Sequence, residues 1–342
     1  MLKDRIVSFC LSRIDVDSFS ALLDSNLLFR LPYKYFSQKL INYKFPAHLF
    51  LEVTNACNLN CQMCARNTIK RETGYMDFGL FKKIIDQSAL FGPRSFCLHI
   101  FGEPLLAPRI TEMIKYLKDK NKKNTILLTT NGVLLNEDLA GEIIDLGVDR
   151  LVVSIIAAKP ETYTGLTQAD HLARVENNVI NLLKMKKAKR KNTPRVYVRM
   201  LKNEKTAGEA ELFIKKWSRQ DVVIDVREAH NYAGKIKNNP FKKGNSNRYP
   251  CYHLWFSPGI SFDGDVSICC CDWNREAVVG NVNTETLSNI WGNHKLNLYR
   301  QYHLRGEYDK TQLCGKCNVW TTYPDIFFKW QKHPRQLILP EG

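Results

Sequence analysis

The chain has 342 residues, is 44% hydrophobic, and carries a formal net charge of +16. That length accommodates one large α/β domain with a smaller companion, and the apolar share is that of an ordinary globular protein rather than a disordered one. No stretch approaches the roughly 18 apolar residues of a membrane span, and charges break up any secretory signal in "MLKDRIVSFCLSRIDVDSFSALLD", so a cytoplasmic location is expected.

Residues 1–46 read as a helical extension and connector ending at Pro46. A regular alternation follows. "HLFLEVT" (48–54), "SFCLHIFG" (95–102), "TILLTTNG" (125–132), "RLVVSII" (150–156), "RVYVRML" (195–201) and "VVIDVRE" (222–228) are β-prone apolar runs. Between them, 78–91, 110–120, 136–147, 175–189 and 206–220 have helical periodicity. Apolar strands alternating with helices predict a parallel sheet covered on its helix side. Six such units suit a partial barrel better than a flat doubly wound sheet, although periodicity alone does not separate the two.

The rhythm changes after residue 231. "GKIKNNPFKKGNSNRYP" (234–250) is a polar linker. "GISFDGDVSICCC" (259–271) reads as a hairpin about Asp263-Gly264, and "ETLSNIW" (285–291) as a short helix. The expected organisation is an N-terminal helical extension over 1–46, a partial barrel over 47–234, a small domain over 235–330 and a tail over 331–342.

The basic charge favours acidic partners, such as phosphorylated or nucleotide-linked substrates, or it marks solvated helix faces. Much of it lies in "KMKKAKRKN" (184–192), where no aromatic residue is interleaved. A stacking platform for single-stranded nucleic acid is therefore not expected.

Of eleven cysteines, three fall at 57–64, four at 251–271 and two at 314–317, with Cys10 and Cys97 apart. In a cytoplasmic chain such groups point to metal rather than to disulfides. Cys57, Cys61 and Cys64, spaced C-x3-C-x2-C, follow the first strand, at the barrel end where active sites gather. A structural zinc site has four ligands. The nearest histidines, His48 and His99, lie on separate strands. Three thiolates on a cubane leave one iron open.

C-x3-C-x2-C directly after the first strand resembles the radical S-adenosylmethionine (SAM) superfamily. The resemblance implies a [4Fe–4S] cluster on Cys57, Cys61 and Cys64, with SAM chelating the fourth iron. It also implies reductive cleavage of SAM to a 5′-deoxyadenosyl radical that abstracts hydrogen from a C–H bond. "FGEP" (101–104) is similar to the family's G-G-E-P, which assigns Glu103, shaped by Gly102 and Pro104, to the SAM amine. "TTNG" (129–132), with Thr130 and Asn131, matches the third-strand T-N-G. Ser154 and Asn203 stand where the family contacts the SAM carboxylate and ribose. Phe101, Met63 and Ile156 depart from the pattern, at positions that bear on SAM or substrate rather than on the cluster.

Cys251, Cys269, Cys314 and Cys317, with "DGDVSICC" and "CGKCN" around them, resemble the shortened auxiliary-cluster module called twitch, related to the SPASM domain. The resemblance implies one further [4Fe–4S] cluster, since no cysteine follows Cys317. Along a strand Cys269 and Cys271 share a face; Cys269 fits G-x4-C, and Cys271 is the alternative. C-x2-C is also a zinc half-site.

The implied chemistry is oxidation, or epimerisation, at a carbinol carbon of a sugar, cyclitol or glycan precursor. The auxiliary cluster would accept an electron, and a flavodoxin or ferredoxin would supply reductant. Two other readings are a peptide-maturing enzyme, for which the segment before residue 46 is short of a leader-binding domain, and a non-catalytic iron–sulfur or zinc scaffold on nucleic acid. Substrate contacts are expected from "REAHNYAG" (227–234): Arg227, Glu228, His230 and Asn231, with His230 able to take a proton near neutral pH.

Overall fold

A computed structural model describes residues 44–228, 230–235 and 248–322. The expected helices before residue 44, most of the linker (236–247) and the tail from 323 lie outside the described residues.

All six apolar runs form strands, β1 (His48–Leu51), β2 (Ser95–Cys97), β3 (Thr125–Thr130), β4 (Arg150–Ser154), β5 (Arg195–Lys202) and β6 (Val223–Glu228). Each is parallel to the next. The helices between them are α1 (Phe78–Ala89), α2 (Ile110–Lys120), α3 (Glu137–Asp145), α4 (Pro160–Thr167), α5 (Leu172–Ala188) and α6 (Ala210–Trp217). Their starts follow from capping chemistry. Asp77 accepts from the Leu80 N–H and Asn136 from the Leu139 N–H, satisfying donors the first turn leaves open.

Alternation along the strands separates the two faces. Val196, Val198 and Met200 are fully buried. Val153, opposite Val198 in register, meets α5 where an added Gly132 Cβ would sit between Val153 and Val175. Ser154, Arg199, Asp225 and Arg227 therefore belong to the other, concave face.

The second part continues the same sheet. β7 (Gly259–Ile260) runs parallel to β1, and β8 (Asp265–Ser267) and β9 (Val278–Asn281) follow antiparallel. The nine strands are ordered β6-β5-β4-β3-β2-β1-β7-β8-β9. The hairpin turns at Gly264, whose φ of +94° suits glycine. α7 (His253–Phe256), α8 (Leu287–Gly292) and α9 (His294–Leu304) complete it. The triple cysteine lies in a turn after β8 rather than on a strand, so strand alternation does not decide which of the three thiols face together.

Candidate active site

β1 is short because its chain must turn. Past Leu51 the Thr54 hydroxyl donates to the Gly74 carbonyl (2.7 Å) and the Asn55 amide to Glu72 O (2.9 Å), which closes the cysteine loop at its base. Within it the Cys64 N–H donates to Cys61 O (3.0 Å), and the Cys64 thiol caps a 3-10 turn over Ala65–Thr68. Burial pushes all three thiols up, Cys61 to about 12 with the Cys64 and Cys57 thiols adding to it. Such thiols are protonated without metal, and binding must displace their protons.

The "FGEP" turn is pressed against this loop. At Gly102, φ is +86°, and a Cβ would stand 2.6 Å from the carbonyls of Thr54 and Ala56, so backbone packs on backbone and only glycine fits. The Glu103 N–H donates to Ala56 O (2.7 Å). Its carboxylate, 1% exposed, accepts from Thr130 Oγ1 (2.7 Å), Asn131 N (2.7 Å) and Leu105 N (3.1 Å). Asn131 in turn donates through Nδ2 to Asn58 Oδ1 (2.7 Å) and to the Cys57 thiol (3.9 Å). Glu103 thus locks the second and third strand ends onto the cysteine loop. Asn203 reaches it from β5, donating to Met63 Sδ (3.8 Å). Ser154 ends β4, and two residues on Ile156 has φ +73°, an unusual conformation for a β-branched residue, of the kind held at functional sites.

On the concave face Arg227 has two charged partners that the sequence reading did not single out, Arg199 and Asp225. Arg199 Nε donates to Asp225 Oδ2 (2.7 Å), and Arg227 donates to both Asp225 oxygens (2.8 Å each). Burial opposes it, but the two guanidiniums hold the Asp225 carboxyl below its ordinary range. The residues expected to contact substrate divide between different surroundings. Glu228 has the opposite parity, is exposed, and pairs with Lys202 across the strand pair (2.9 Å). It does not share the concave face with Arg227. His230 is half-buried and within electrostatic range of His253, in the C-terminal half. Asn231 is a tie rather than a free group: its N–H donates to Asn318 Oδ1 (3.0 Å) and its amide to Lys316 O (2.7 Å).

Cys251, Cys269, Cys314 and Cys317 line one small pocket, together with Cys271, Arg248, His253 and His303. Burial, reinforced by the Cys317, Cys269 and Cys314 thiols, pushes Cys251 well up, and burial pushes Cys314 to about 12. Among the described residues no three His, Cys, Asp or Glu side chains close around one bare ion; a cubane is larger, with its thiolates on separate corners. Both thiol sets suit iron–sulfur ligation by their donor chemistry.

A small apolar cluster of Ala65, Phe101 and Trp273 has Tyr232 packed on it, and Tyr232 is within electrostatic range of Cys64 on one side and of Cys270 and Cys271 on the other. The Tyr232 ring stands 6.0 Å from Trp273 and 6.4 Å from Phe101. Ala65 follows Cys64, and Trp273 follows Cys271 by two residues. No spacing rule marks these aromatics; the juxtaposition arises only in the fold.

Fold and site together define an enzyme that couples a three-thiol loop at the mouth of a partial barrel to an appended four-thiol domain. The radical SAM superfamily model matches residues 51–213, and the SPASM iron–sulfur cluster-binding domain model matches 251–318. The chain belongs to the radical SAM superfamily and carries a C-terminal SPASM-type iron–sulfur domain. It is 24% identical over 270 residues to the SAM-dependent 2-deoxy-scyllo-inosamine dehydrogenase of Niallia circulans, covering 78% of this chain and 91% of that protein. The GTP 3′,8-cyclase of Chlorobaculum tepidum is 32% identical over 133 residues, 39% of this chain and 40% of the cyclase. Among solved structures, BtrN in complex with AdoMet and 2-DOIA superposes with a TM-score of 0.56 at 22% identity, over 80% of this chain and 93% of BtrN. Native anSMEcpe with bound AdoMet gives a TM-score of 0.60 at 16% identity, over 84% and 98%. At these identities the structures establish the fold. No helix among the described residues is long and apolar enough to cross a membrane.

Proposed function

We propose that the chain is a SAM-dependent dehydrogenase acting on a carbinol carbon of a sugar, cyclitol or glycan precursor. Cys57, Cys61 and Cys64 would hold a [4Fe–4S] cluster that binds SAM, and Cys251, Cys269, Cys314 and Cys317 a second [4Fe–4S] cluster. When bound, these groups supply a 5′-deoxyadenosyl radical and an electron acceptor, so that loss of a hydrogen atom, a proton and an electron turns a carbinol into a ketone.

The protein's part is placement. Glu103 seats Asn131 and Thr130, while Gly102 and Pro104 shape the turn that brings it there. With Ser154 and Asn203, these residues form the wall against which SAM would lie. Arg199 and Arg227, sharing Asp225, offer donors to hydroxyl or phosphate oxygens of the substrate. His230 is the proposed proton acceptor.

The observation that carries this reading is that Tyr232, packed on Phe101 and Trp273, stands within electrostatic range both of Cys64 in the first thiol set and of Cys270 and Cys271 beside Cys269 of the second. Dehydrogenation needs an electron acceptor close to the carbon that loses hydrogen. Anaerobically reconstituted protein is expected to form one ketone per 5′-deoxyadenosine from a cyclitol or sugar panel that includes 2-deoxy-scyllo-inosamine. The Cys314→Ala, Cys317→Ala double variant is expected to cleave SAM without forming ketone. Undiminished ketone formation by that variant would remove the second site from the reaction.

A further inference from the structure

The side chain of Arg71 joins the loop that carries the first thiol set to the turn that carries Cys269 of the second. Arg71 lies seven residues after Cys64, and its side chain is 12% exposed. Its NH1 and NH2 donate to the two carboxylate oxygens of Glu52, at 2.6 and 2.5 Å. Its Nε donates to the main-chain carbonyl of Trp273, at 2.5 Å. Glu52 is 1% exposed and stands at the end of β1, where the cysteine loop begins. Trp273 follows the triple cysteine directly but for Asp272. The same two segments are clasped beside it through Asn274. The Lys70 N–H donates to Asn274 Oδ1 (2.9 Å), and Asn274 Nδ2 donates to Thr68 O (3.2 Å).

We propose that Arg71 is a positioning residue that fixes the spacing between the two cluster-binding loops. The inference rests on the two-cluster reading above and adds what sets their separation. A buried ion pair is a weak source of stability, since desolvation offsets most of its attraction. What a guanidinium provides is direction: two parallel N–H groups engage a carboxylate in one plane. With that fork seated on Glu52, the Nε–H points along a fixed line, and the Trp273 carbonyl sits on it. Asp272 holds the far side of the turn by accepting from the N–H groups of Glu276 and Ala277, at 2.8 Å each. The strut therefore runs from β1 through Arg71 to the auxiliary turn without a mobile link. A lysine keeps the charge beside Glu52 but lacks the planar fork.

The test is Arg71→Lys in the full chain, with the paired variant Glu52→Gln, Arg71→Met removing buried charge and strut together so that no lone carboxylate is left in the interior. In the metal-free proteins, hydrogen exchange is expected to quicken at least tenfold in the peptides covering 68–74 and 270–277, with the α3 and α5 peptides unchanged. In the reconstituted, reduced proteins, the spin–spin interaction between the two clusters is expected to change, and the yield of ketone per 5′-deoxyadenosine to fall at least fivefold. Wild-type exchange in both segments, or an unaltered inter-cluster interaction in both variants, would overturn the proposal. If wild-type protein forms no ketone, the dehydrogenase reading fails while the exchange and magnetic measurements still decide the role of Arg71.

Discussion

Glu103 organises the site before any cofactor enters it. Its three hydrogen-bond donors come from its own turn and from the end of β3, and burial pushes its carboxyl up to about 7. The group ordinarily titrates near 4.5, so between pH 4.5 and 7 the folded chain binds more protons at this position than the unfolded one. Stability from this residue is therefore present below the unfolded value and lost as pH rises through about 7, by on the order of 3 kcal/mol at roughly 1.4 kcal/mol per unit. Glu103→Gln cannot ionise, and its amide would turn a donor toward the Asn131 N–H, at a cost of about 1–3 kcal/mol. Thermal unfolding of the metal-free chain is expected to show the variant less stable at pH 5 and its deficit shrinking toward pH 8. A deficit that stays constant across that range would mean the Glu103 carboxyl does not titrate there.

At the level of elements, the turn after β6 joins the barrel to the C-terminal domain. Tyr232, Ala233 and Gly234 take three successive positive φ values, +43°, +56° and +78°. A Cβ on Gly234 would stand 2.5 Å from Lys316 Cβ. Gly234→Ala is therefore expected to displace the Cys314–Cys317 loop, costing about 1–3 kcal/mol through overpacking. Iron analysis should show a larger loss at the second cluster than at the first; equal losses would place the damage elsewhere. The six parallel strands and five of the six helices between them were legible from periodicity, and the thiol sets from spacing, because both are regular in sequence. β9 was not, being four residues with Gly280 inside. α9 was missed because its buried positions are Leu296, Arg300 and His303, and no apolar stripe betrays a helix that buries polar groups. Arg199 and Asp225, the partners of Arg227, escaped notice because Arg199 lies on another strand and meets the other two only through register. Arg227 and Glu228 were read together because both end the sixth strand at the barrel mouth; as neighbours on a strand they face opposite ways.

For the whole molecule, the domain boundary implied by the polar linker is not a mechanical one. β1 is an internal strand: its Phe50 and Glu52 N–H groups donate to the carbonyls of Pro258 (3.2 Å) and Ile260 (2.9 Å), which a chain ending at residue 235 would lack. The same cut removes Leu254, Trp255, Phe256 and Ile260, each at most 2% exposed and part of the one large core that also holds Leu49 and Leu51. Fully burying such side chains is worth about 1.5–3 kcal/mol each, so the four together rival the roughly 5–15 kcal/mol by which a domain is stable. The barrel half is therefore expected not to fold alone. The full chain should unfold in a single calorimetric transition, and the truncated chain should lack a cooperative transition and aggregate. A truncated chain that melts cooperatively near the full-length temperature would mean that β7 and its helices merely rest on a self-sufficient barrel. A shared core also keeps the two thiol sets in one rigid frame, with Arg71 setting the local spacing within it. Loss of cooperativity on cutting the linker and loss of inter-cluster coupling on replacing Arg71 are then separate consequences of one continuous sheet.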